Sequence, residues 1–271
     1  MINEDHLNGA TPADNLQSPL KWSGPKLEAF QETESRYQKC MEAPLRRAHE
    51  LGQADIVVGI PFYNESETLP HVIRIALQGL AEHYPGAKSV IVAAGSPEGE
   101  AALRSAEEVP ENPAIKRIQF VFRDELINGK GWSIRAIFEI ADKLGADAVI
   151  LEADLRSDVQ NGTAVGLTPD WIRLLMEPIR TREMDMVVSR FTRYYLEAPV
   201  STLSYPLFTA IYECPIRRMT GGQWGISHNL LDIYFQRFHH AWQAEVAGYG
   251  VDSWLATVAI TANARICEAN L

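Results

Sequence analysis

The sequence predicts an α/β domain built on a mainly parallel sheet with helices on both faces. Apolar, β-branched runs such as 55–62 and 147–151 are typical of strands that are buried on both sides. They alternate with segments of helical periodicity, the clearest of which is 131–144. Several apolar runs stop abruptly at polar residues, and the carboxyl ends of strands are where such sheets hold ligands.

The first 53 residues are predicted to precede the sheet. Residues 1–25 are rich in Pro, Asn, Ser and Gly, which favours an irregular arm. The apolar spacing over 26–51 fits one face of an amphipathic helix. This helix would pack on the sheet or on a partner chain, so it could support a homodimer.

The remaining elements fall into two halves, 54–190 and 191–271. In the first half we predict strands at 55–62, 88–94, 116–122, 147–151 and 185–189, with helices at 69–80, 98–108, 131–144 and 169–180. Beyond residue 190 the pattern becomes mostly helical, with pieces at 203–216, 228–240 and 250–261, and a last strand near 264–271. We expect the first half to bind a nucleotide sugar and the second to form an acceptor-binding lid that is truncated at its carboxyl end.

The composition is typical of a soluble globular protein and argues against a nucleic-acid-binding or membrane-spanning one. The 271 residues are 46% hydrophobic and 22% charged, which is ordinary for a soluble globular protein. A net charge of −10 argues against nucleic acid as a partner, because phosphate neutralisation needs a basic face. No run approaches 18 apolar residues, and the three cysteines have no metal-ligand spacing, so we expect no membrane span and a cytoplasmic protein with reduced thiols.

Two carboxylates end the central predicted strand. Glu152 and Asp154 are two residues apart, so on extended backbone they project to the same side. Carboxylate oxygens are the ligands that Mg²⁺ and Mn²⁺ prefer, usually together with substrate phosphates. We therefore predict a divalent-metal site here. The alternative is a polar strand end followed by a solvated turn.

Polar residues also follow the first predicted strand. Pro61 ends it, since proline cannot donate to a sheet ladder. Asn64 or Glu65 could hydrogen-bond a nucleobase edge, with Tyr63 as an apolar wall. A turn with a helix cap explains the same residues without a ligand. Gly95, at the end of the second strand, is predicted to lie beside them at the nucleotide.

Gly129, Lys130 and Gly131 open the strongest predicted helix. The glycines would let backbone approach a ligand closely, and the helix start and Lys130 would attract an anion such as a diphosphate. The spacing is not that of a Walker loop, and no Gly-x-Gly-x-x-Gly follows the first strand. A dinucleotide-binding Rossmann domain is therefore not expected.

Two glycine-containing segments in the second half complete the set. Residues 221–225 and 248–252 would let a sugar or acceptor lie on backbone, with Trp224 and Tyr249 offering flat faces. Asp252 stands at a predicted helix start, where it could accept hydrogen bonds from sugar hydroxyls or act as an ordinary N-cap.

The order of these segments resembles the GT-A glycosyltransferases. Within them it is most similar to the retaining glucosyl-3-phosphoglycerate synthases and their mannosylglycerate-synthase relatives, over roughly 54–271. The resemblance implies a GT-A fold and transfer of glucose or mannose from a UDP- or GDP-sugar. It also implies a divalent metal, Mg²⁺ or Mn²⁺, and a small hydroxy-acid acceptor such as glycerate or 3-phosphoglycerate.

The resemblance also assigns roles to individual residues. Pro61, Asn64 and Glu65 would contact the nucleoside, Lys130 the diphosphate, Asp154 the metal and Asp252 the donor sugar, which makes Lys130, Asp154 and Asp252 the expected catalytic set. The expected acceptor-binding residues are Arg190, Ser201, Thr202, Gly221 and Gly222.

The chain departs from the family in three places. Glu152 stands where the family usually has Asp. The family's Gly-Gly-Arg before the acceptor-site hydroxyl is absent, and its possible substitutes are Arg190, Arg193, Arg217 and Arg218. The family's metal-binding His follows the last strand, beyond the end of this chain.

Two competing functions remain open at this point. An inverting enzyme of the same fold would need a general base near the acceptor hydroxyl. A nucleotide-sugar-binding protein without turnover would need only the donor site. A pyrophosphorylase is disfavoured, because residues 61–68 carry neither glycine nor a basic side chain.

Overall fold

A seven-stranded sheet forms the centre of the protein, with strand order β3-β2-β1-β4-β8-β7-β9. The computed structural model describes residues 25–160, 163–191, 199–241 and 244–271. The strands are β1 (Ile56–Phe62), β2 (Ser89–Gly95), β3 (Ile115–Val121), β4 (Asp147–Ile150), β5 (Ser157–Gln160), β6 (Thr163–Gly166), β7 (Met186–Arg190), β8 (Trp224–Ile226) and β9 (Ile266–Asn270). The helices are α1 (Pro25–Leu51), α2 (Leu69–His83), α3 (Glu100–Glu107), α4 (Lys130–Leu144), α5 (Asp170–Arg182), α6 (Pro199–Tyr212), α7 (His228–Ala241), α8 (Ala244–Ala247) and α9 (Val251–Thr261).

Strand β1 lies at the middle of the parallel part of the sheet. It pairs in parallel with β2, where Ile56 faces Ser89, and with β4, where Ile56 faces Asp147. Every residue of β1 and β2 is buried, because helices cover both faces. This confirms the predicted α/β class with a mainly parallel sheet flanked by helices.

Strand β8 was not predicted. It runs antiparallel between β4 and β7, where Gly225 faces both Val149 and Val187. Its surroundings were predicted to be a glycine-rich break, because three strand residues after two glycines carry no periodic signal. Through β8 and β9, residues 191–271 join the same sheet as 54–190.

A small hairpin of β5 and β6 was also absent from the prediction. It directly follows the segment that carries Glu152 and Asp154, and it forms a separate two-stranded antiparallel sheet. The side-chain hydroxyl of Ser157 contacts His71 of α2 at 2.8 Å, which holds the hairpin beside that helix.

Helix α1 packs against α4 on one face of the sheet. Tyr37 is fully buried and stacks on Trp132 with ring centroids 4.9 Å apart. Arg135 of α4 donates to Glu34 of α1 at 2.6 Å, so an ion pair accompanies the apolar contact. The predicted helix at 26–51 is therefore covered by its own chain along this face. The arm at 1–24 lies outside the described residues.

None of the described helices combines the length and hydrophobicity needed to cross a membrane. Cys40, Cys214 and Cys267 are free thiols, each partly exposed.

Candidate active site

A pocket of about 450 Å³ opens at the carboxyl ends of β1, β2 and β4, a size typical of small-molecule sites. Parallel pairing brings these three strand ends to one edge of the sheet. The pocket is lined by Pro61, Phe62, Tyr63, Glu65, Ser96, Asn128, Gly129, Lys130, Glu152, Ala153, Asp154, Gly248 and Tyr249. Lys130 and Asp154, predicted to act on one bound molecule, thus share a single pocket.

Lys130 lies at the centre of an ion-pair network. Its Nζ is 2.7 Å from Glu152 Oε1 and 2.9 Å from Asp252 Oδ2. Only 12% of the side chain is exposed, and the ammonium also lies 5.6 Å from the centre of the Trp224 ring. Burial lowers the pKa of Lys130, but Asp252 and Glu152 outweigh it and raise the pKa above its usual value. The lysine is therefore charged at neutral pH.

Glu152 is held on both oxygens. In addition to Lys130, its Oε2 accepts a hydrogen bond from Gln223 Nε2 at 3.1 Å. Its carboxylate occupies the space where a side chain of residue 222 would begin, and Gly222 has a φ of +82°. Residue 222 must therefore be glycine, both because a side chain would collide with Glu152 and because the backbone has a positive φ. To bind a metal as predicted, the Glu152 carboxylate would have to coordinate the ion while still bonded to Lys130 and Gln223, or break one of these bonds.

Asp154 has no such partners. It is accessible from the open pocket, and its only hydrogen bond within the described part of the chain is to its own backbone. Partial burial, followed by the charges of Glu152 and Glu65, raises its pKa. A carboxylate surrounded by other carboxylates gains by binding a cation, so Asp154 suits the predicted metal site.

Asp252 joins the network from the first turn of α9. Its side chain is 17% exposed, and burial raises its pKa, against the opposing effect of Lys130. Its second oxygen, Oδ1, is buried without a hydrogen-bond partner among the described residues. A buried acceptor without a donor is costly, which suits a ligand hydroxyl that would supply one.

The glycines beside Lys130 serve packing. A side chain at Gly131 would collide with the carbonyl oxygen of Val246, and one at Gly129 would collide with that of Ala247. We expected these glycines to admit a ligand, whereas they admit the backbone at the end of α8. This close crossing brings Gly248 and Tyr249 to the pocket wall.

The start of α4 remains suited to an anion. No side chain caps the helix at Gly129. Ser96 Oγ instead accepts from the Gly129 backbone N–H at 3.2 Å, and Asn128 donates to Glu98 at 2.8 Å. These bonds fix the loop to the end of β2. The helix dipole and Lys130 then add positive potential at the same point.

The first predicted segment only partly faces the pocket. Pro61, Tyr63 and Glu65 line it, and Glu65 Oε2 accepts from the Tyr63 backbone N–H at 2.6 Å. Asn64 is exposed and lies outside the lining. Gly95 is buried against the Phe62 ring, which leaves no room for a side chain, so its glycine is explained by packing.

The predicted acceptor residues lie beyond the pocket lining. Gly222 adjoins Glu152, and Gly221 faces Ser189. Arg190 ends β7, 3.9 Å from Glu268. Thr202 is exposed on α6. The side chain of Ser201 and all of Arg193 lie outside the described residues.

The two other arginines considered for the acceptor have different environments. Arg217 donates its backbone N–H to Glu268 at 3.0 Å. Arg218 is buried, with its guanidinium 5.1 Å from the centre of the Phe191 ring. Their contacts place Arg217 beside β9 and Arg218 beside the end of β7.

Three residues of the candidate site were not predicted from the sequence. Ser96 and Asn128 line the pocket, and Gln223 orients Glu152. The one indication in the sequence was that each of them is adjacent to a glycine of a predicted site segment. Trp224, expected as a flat sugar-binding face, is fully buried beneath Lys130, whereas Tyr249 is 88% exposed at the pocket rim.

Comparison with solved structures gives clear likenesses in fold. Glucosyl-3-phosphoglycerate synthase from Mycobacterium tuberculosis, in complex with Mn²⁺, UDP and phosphoglyceric acid, matches with a TM-score of 0.57 and 18% identity, over 83% of this chain and 71% of that one. Its complex with Mg²⁺ and UDP matches with a TM-score of 0.56 and 17% identity, over 84% and 73%. Its complex with Mn²⁺, UDP-glucose and glycerol 3-phosphate gives 0.53 and 18%, over 83% and 72%.

No protein-family model and no curated protein sequence matches the chain. The structural likenesses confirm the predicted GT-A fold. At this level of identity they concern the fold alone.

Proposed function

We propose that this chain, which has the GT-A fold, is a metal-dependent glycosyltransferase that moves a hexose from a nucleoside-diphosphate sugar to a small hydroxy acid. The observation that carries the proposal is that Lys130 and Asp154 line one pocket and that Asp252, which lies outside the lining, is ion-paired to Lys130 at 2.9 Å. They come from three separate elements, and each supplies a group that a sugar diphosphate requires. The UDP, UDP-glucose and phosphoglyceric acid bound by the structural neighbours support this ligand class and favour UDP over GDP.

The diphosphate would lie against the start of α4. Lys130 contributes a full positive charge there, and the uncapped helix start contributes backbone N–H groups. In the described structure this lysine is neutralised by Glu152 and Asp252. An incoming diphosphate would therefore compete with two carboxylates for one ammonium, which makes a second source of positive charge necessary.

The pocket fits a divalent cation as that second source. Asp154 would hold it, since this carboxylate is accessible and has no side-chain partner among the described residues. When bound, the cation would supply Lewis-acid stabilisation of the charge on the departing diphosphate. Glu152 keeps Lys130 in place and is the second predicted ligand. Mg²⁺ and Mn²⁺ both suit such oxygen ligands.

The donor sugar would lie in the pocket beside the ion pair that Lys130 forms with Asp252. The free oxygen of Asp252 can accept a hydroxyl hydrogen bond, which fixes the sugar ring while its diphosphate is held by Lys130. Tyr249 at the rim offers an exposed aromatic face to the sugar or nucleoside. Glucose and mannose are the proposed hexoses. Positioning of this kind accounts for a large share of the rate in group transfer.

The acceptor would enter from the side of Gly221 and Gly222. Arg190 lies at the end of β7 on this side of the sheet and would attract a carboxylate or phosphate. Thr202 and Ser201, on α6, are the proposed hydroxyl contacts. A glycerate or 3-phosphoglycerate acceptor carries the negative charge that such a basic group would recognise.

We propose that the anomeric configuration is retained. A double displacement needs a carboxylate nucleophile beside the anomeric carbon. Among the acids of the candidate site, Asp252 is the one placed beside the proposed sugar. One of its carboxylate oxygens is ion-paired to Lys130, which disfavours it as a nucleophile. Front-face attack requires no nucleophile from the protein. In this route the acceptor hydroxyl attacks the anomeric carbon, and the departing diphosphate takes the hydroxyl proton.

Thermal-shift measurements with UDP-glucose, UDP-mannose and their GDP counterparts, each with and without Mn²⁺, test the donor site. We expect metal-dependent stabilisation by one nucleotide and none with Asp154→Ala.

Incubation with glycerate and 3-phosphoglycerate, followed by NMR of the product, then tests transfer and its stereochemistry. A β-linked product from an α-linked donor would identify an inverting enzyme. Stabilisation without product would identify a binding protein, and no response to any nucleotide would refute the proposal.

A further inference from the structure

Three metal-ligating side chains converge at the opposite end of α4 from Lys130. Asp142 lies in the last turn of α4, and His228 and Asp232 lie in the first turns of α7. One ligand atom from each comes within 4.8 Å of the other two. Twelve residues of α4 separate Lys130 from Asp142, about 18 Å at the helical rise, so this cluster is distinct from the candidate active site.

The packing of α4 against α7 fixes this convergence. Phe138 of α4 stacks on Tyr234 of α7 with ring centroids 5.8 Å apart and planes 13° from parallel, and both rings are fully buried. His228 and Asp232 are four residues apart on α7 and therefore share a helix face. The His228 backbone N–H donates to Asp147 Oδ1 at 3.0 Å, which anchors the helix start to β4.

The three side chains are not committed to other contacts. His228 Nδ1 is buried and has no hydrogen-bond partner in the described part of the chain. Neither the carboxylate of Asp142 nor that of Asp232 forms a hydrogen bond or a salt bridge with a described residue. The two carboxylates and the imidazole thus offer one nitrogen and several oxygen atoms as ligands at one point. The carboxyl end of α4 adds negative potential at Asp142, whereas the start of α7 adds positive potential at His228 and Asp232.

We propose that Asp142, His228 and Asp232 bind a divalent cation of the Zn²⁺ class that clamps α4 to α7. One imidazole nitrogen with two carboxylate oxygens suits Zn²⁺ better than Mg²⁺, which prefers oxygen alone. Ligands at about 2.0–2.2 Å from one ion lie at most about 4.4 Å apart, so the observed spacing requires shifts of less than about 1 Å. Water molecules would complete the coordination.

The clamp would lie outside the candidate active site, on two elements that also reach it. Helix α4 carries Lys130 at its other end, and α7 begins directly after β8, whose preceding residue Gln223 orients Glu152. A cation at the far end would restrict movement between these two elements. It would bind in the absence of any nucleotide, in contrast to the metal proposed at Asp154.

The test is zinc binding by chelator-stripped protein in the absence of nucleotide. Calorimetric titration with Zn²⁺ should give one site in wild type and the same site in Asp154→Ala, which lacks the active-site ligand. His228→Gln and Asp232→Asn should each weaken the site by about tenfold or more. His49→Gln, an exposed histidine on α1, is the matched control and should bind as wild type does.

Two further results separate this inference from the proposed function. The stabilisation of His228→Gln by Mn²⁺ with a nucleotide sugar should match that of wild type, since none of the three residues lines the active-site pocket. Co²⁺ in place of Zn²⁺ should give visible absorption bands that are lost in His228→Gln. Equal zinc affinity in wild type, His228→Gln and Asp232→Asn, or the absence of a nucleotide-independent site, would overturn the inference.

Discussion

Asp252 Oδ2 lies 2.9 Å from Lys130 Nζ, which joins the starts of two helices that are 122 residues apart in the chain. Glu152 completes the arrangement from the end of β4. Because Lys130 is the only described cation that contacts this pair of acids, the charge balance of the pocket depends on it.

Lys130→Met should destabilise the protein, because it leaves Glu152 and Asp252 as neighbouring carboxylates without their shared cation. Removing one partner of a largely buried network costs about 3 kcal/mol in the free energy of unfolding, measured by urea denaturation. Donor-dependent stabilisation should be lost in the same variant. Lys39→Met, on the exposed face of α1, should change stability by less than about 0.5 kcal/mol. Wild-type stability of Lys130→Met would contradict the proposed importance of the network.

Asp154→Asn should abolish turnover yet slightly stabilise the ligand-free protein at neutral pH. The folded-state pKa of Asp154 is raised, so folding holds its proton more tightly than the unfolded chain does. Stability is therefore lost as pH rises from the unfolded pKa through the folded pKa, and the asparagine variant avoids that loss.

Melting temperatures of wild type and Asp154→Asn across acidic to neutral pH measure this effect. The two curves should converge toward low pH, below the ordinary aspartate pKa of about 3.9, and separate above it. The same titration predicts that metal-dependent activity falls on the acid side at a higher pH than an ordinary aspartate would give. A wild type more stable than Asp154→Asn at neutral pH would reverse the expected sign.

Gly222→Ala should disturb Glu152 and through it Lys130. Its side chain would enter the space of the Glu152 carboxylate, and its φ of +82° adds backbone strain. Gly52→Ala is a close control, since Gly52 has the same φ of +82° with no atom within 4 Å of the added carbon. Both variants should lose about 1 kcal/mol from strain. Gly222→Ala should lose at least about 1 kcal/mol more and weaken donor binding, and equal losses would show that the contact with Glu152 is unimportant.

Gly131→Ala should separate the start of α4 from the backbone at Val246. Because a carbonyl oxygen cannot rotate away as a side chain can, the segment carrying Tyr249 and Asp252 must shift. We expect the KM for the donor to rise severalfold, by about 1 kcal/mol in binding. Gly86→Ala, which meets no atom within 4 Å and has no positive φ, should leave the kinetics unchanged. Unchanged donor KM in Gly131→Ala would show that this crossing does not position the pocket.

The sequence predicted the parallel part of the sheet because its signals are local. The apolar run of β1 and the periodicity of α4 each lie within a single window of residues. Lys130 and Asp154 were predicted as site residues for the same reason, as charged residues at the ends of strongly patterned elements, and the structure places both at one pocket. The order of these segments along the chain was sufficient to predict the GT-A fold.

Strand β8 and the partners of Glu152 could not be predicted in this way. Trp224–Ile226 is too short to carry a period, and its neighbours β4 and β7 lie far away in the chain. Trp224 looked like a sugar-binding face because aromatic residues suit both burial and stacking. Trp224 is buried because it lies in β8 between β4 and β7, beneath Lys130.

By itself the sequence determined the longer strands and helices and the charged residues that follow them, since hydrophobic periodicity and glycine and proline positions act over a few residues. Only the tertiary structure decided which of those charges meet. Lys130 contacts Asp252 because α8 crosses the glycines of α4, and Asp142 approaches His228 because Phe138 stacks on Tyr234. Contacts of this kind depend on packing between distant segments, whose geometry is set by the shape of the whole core.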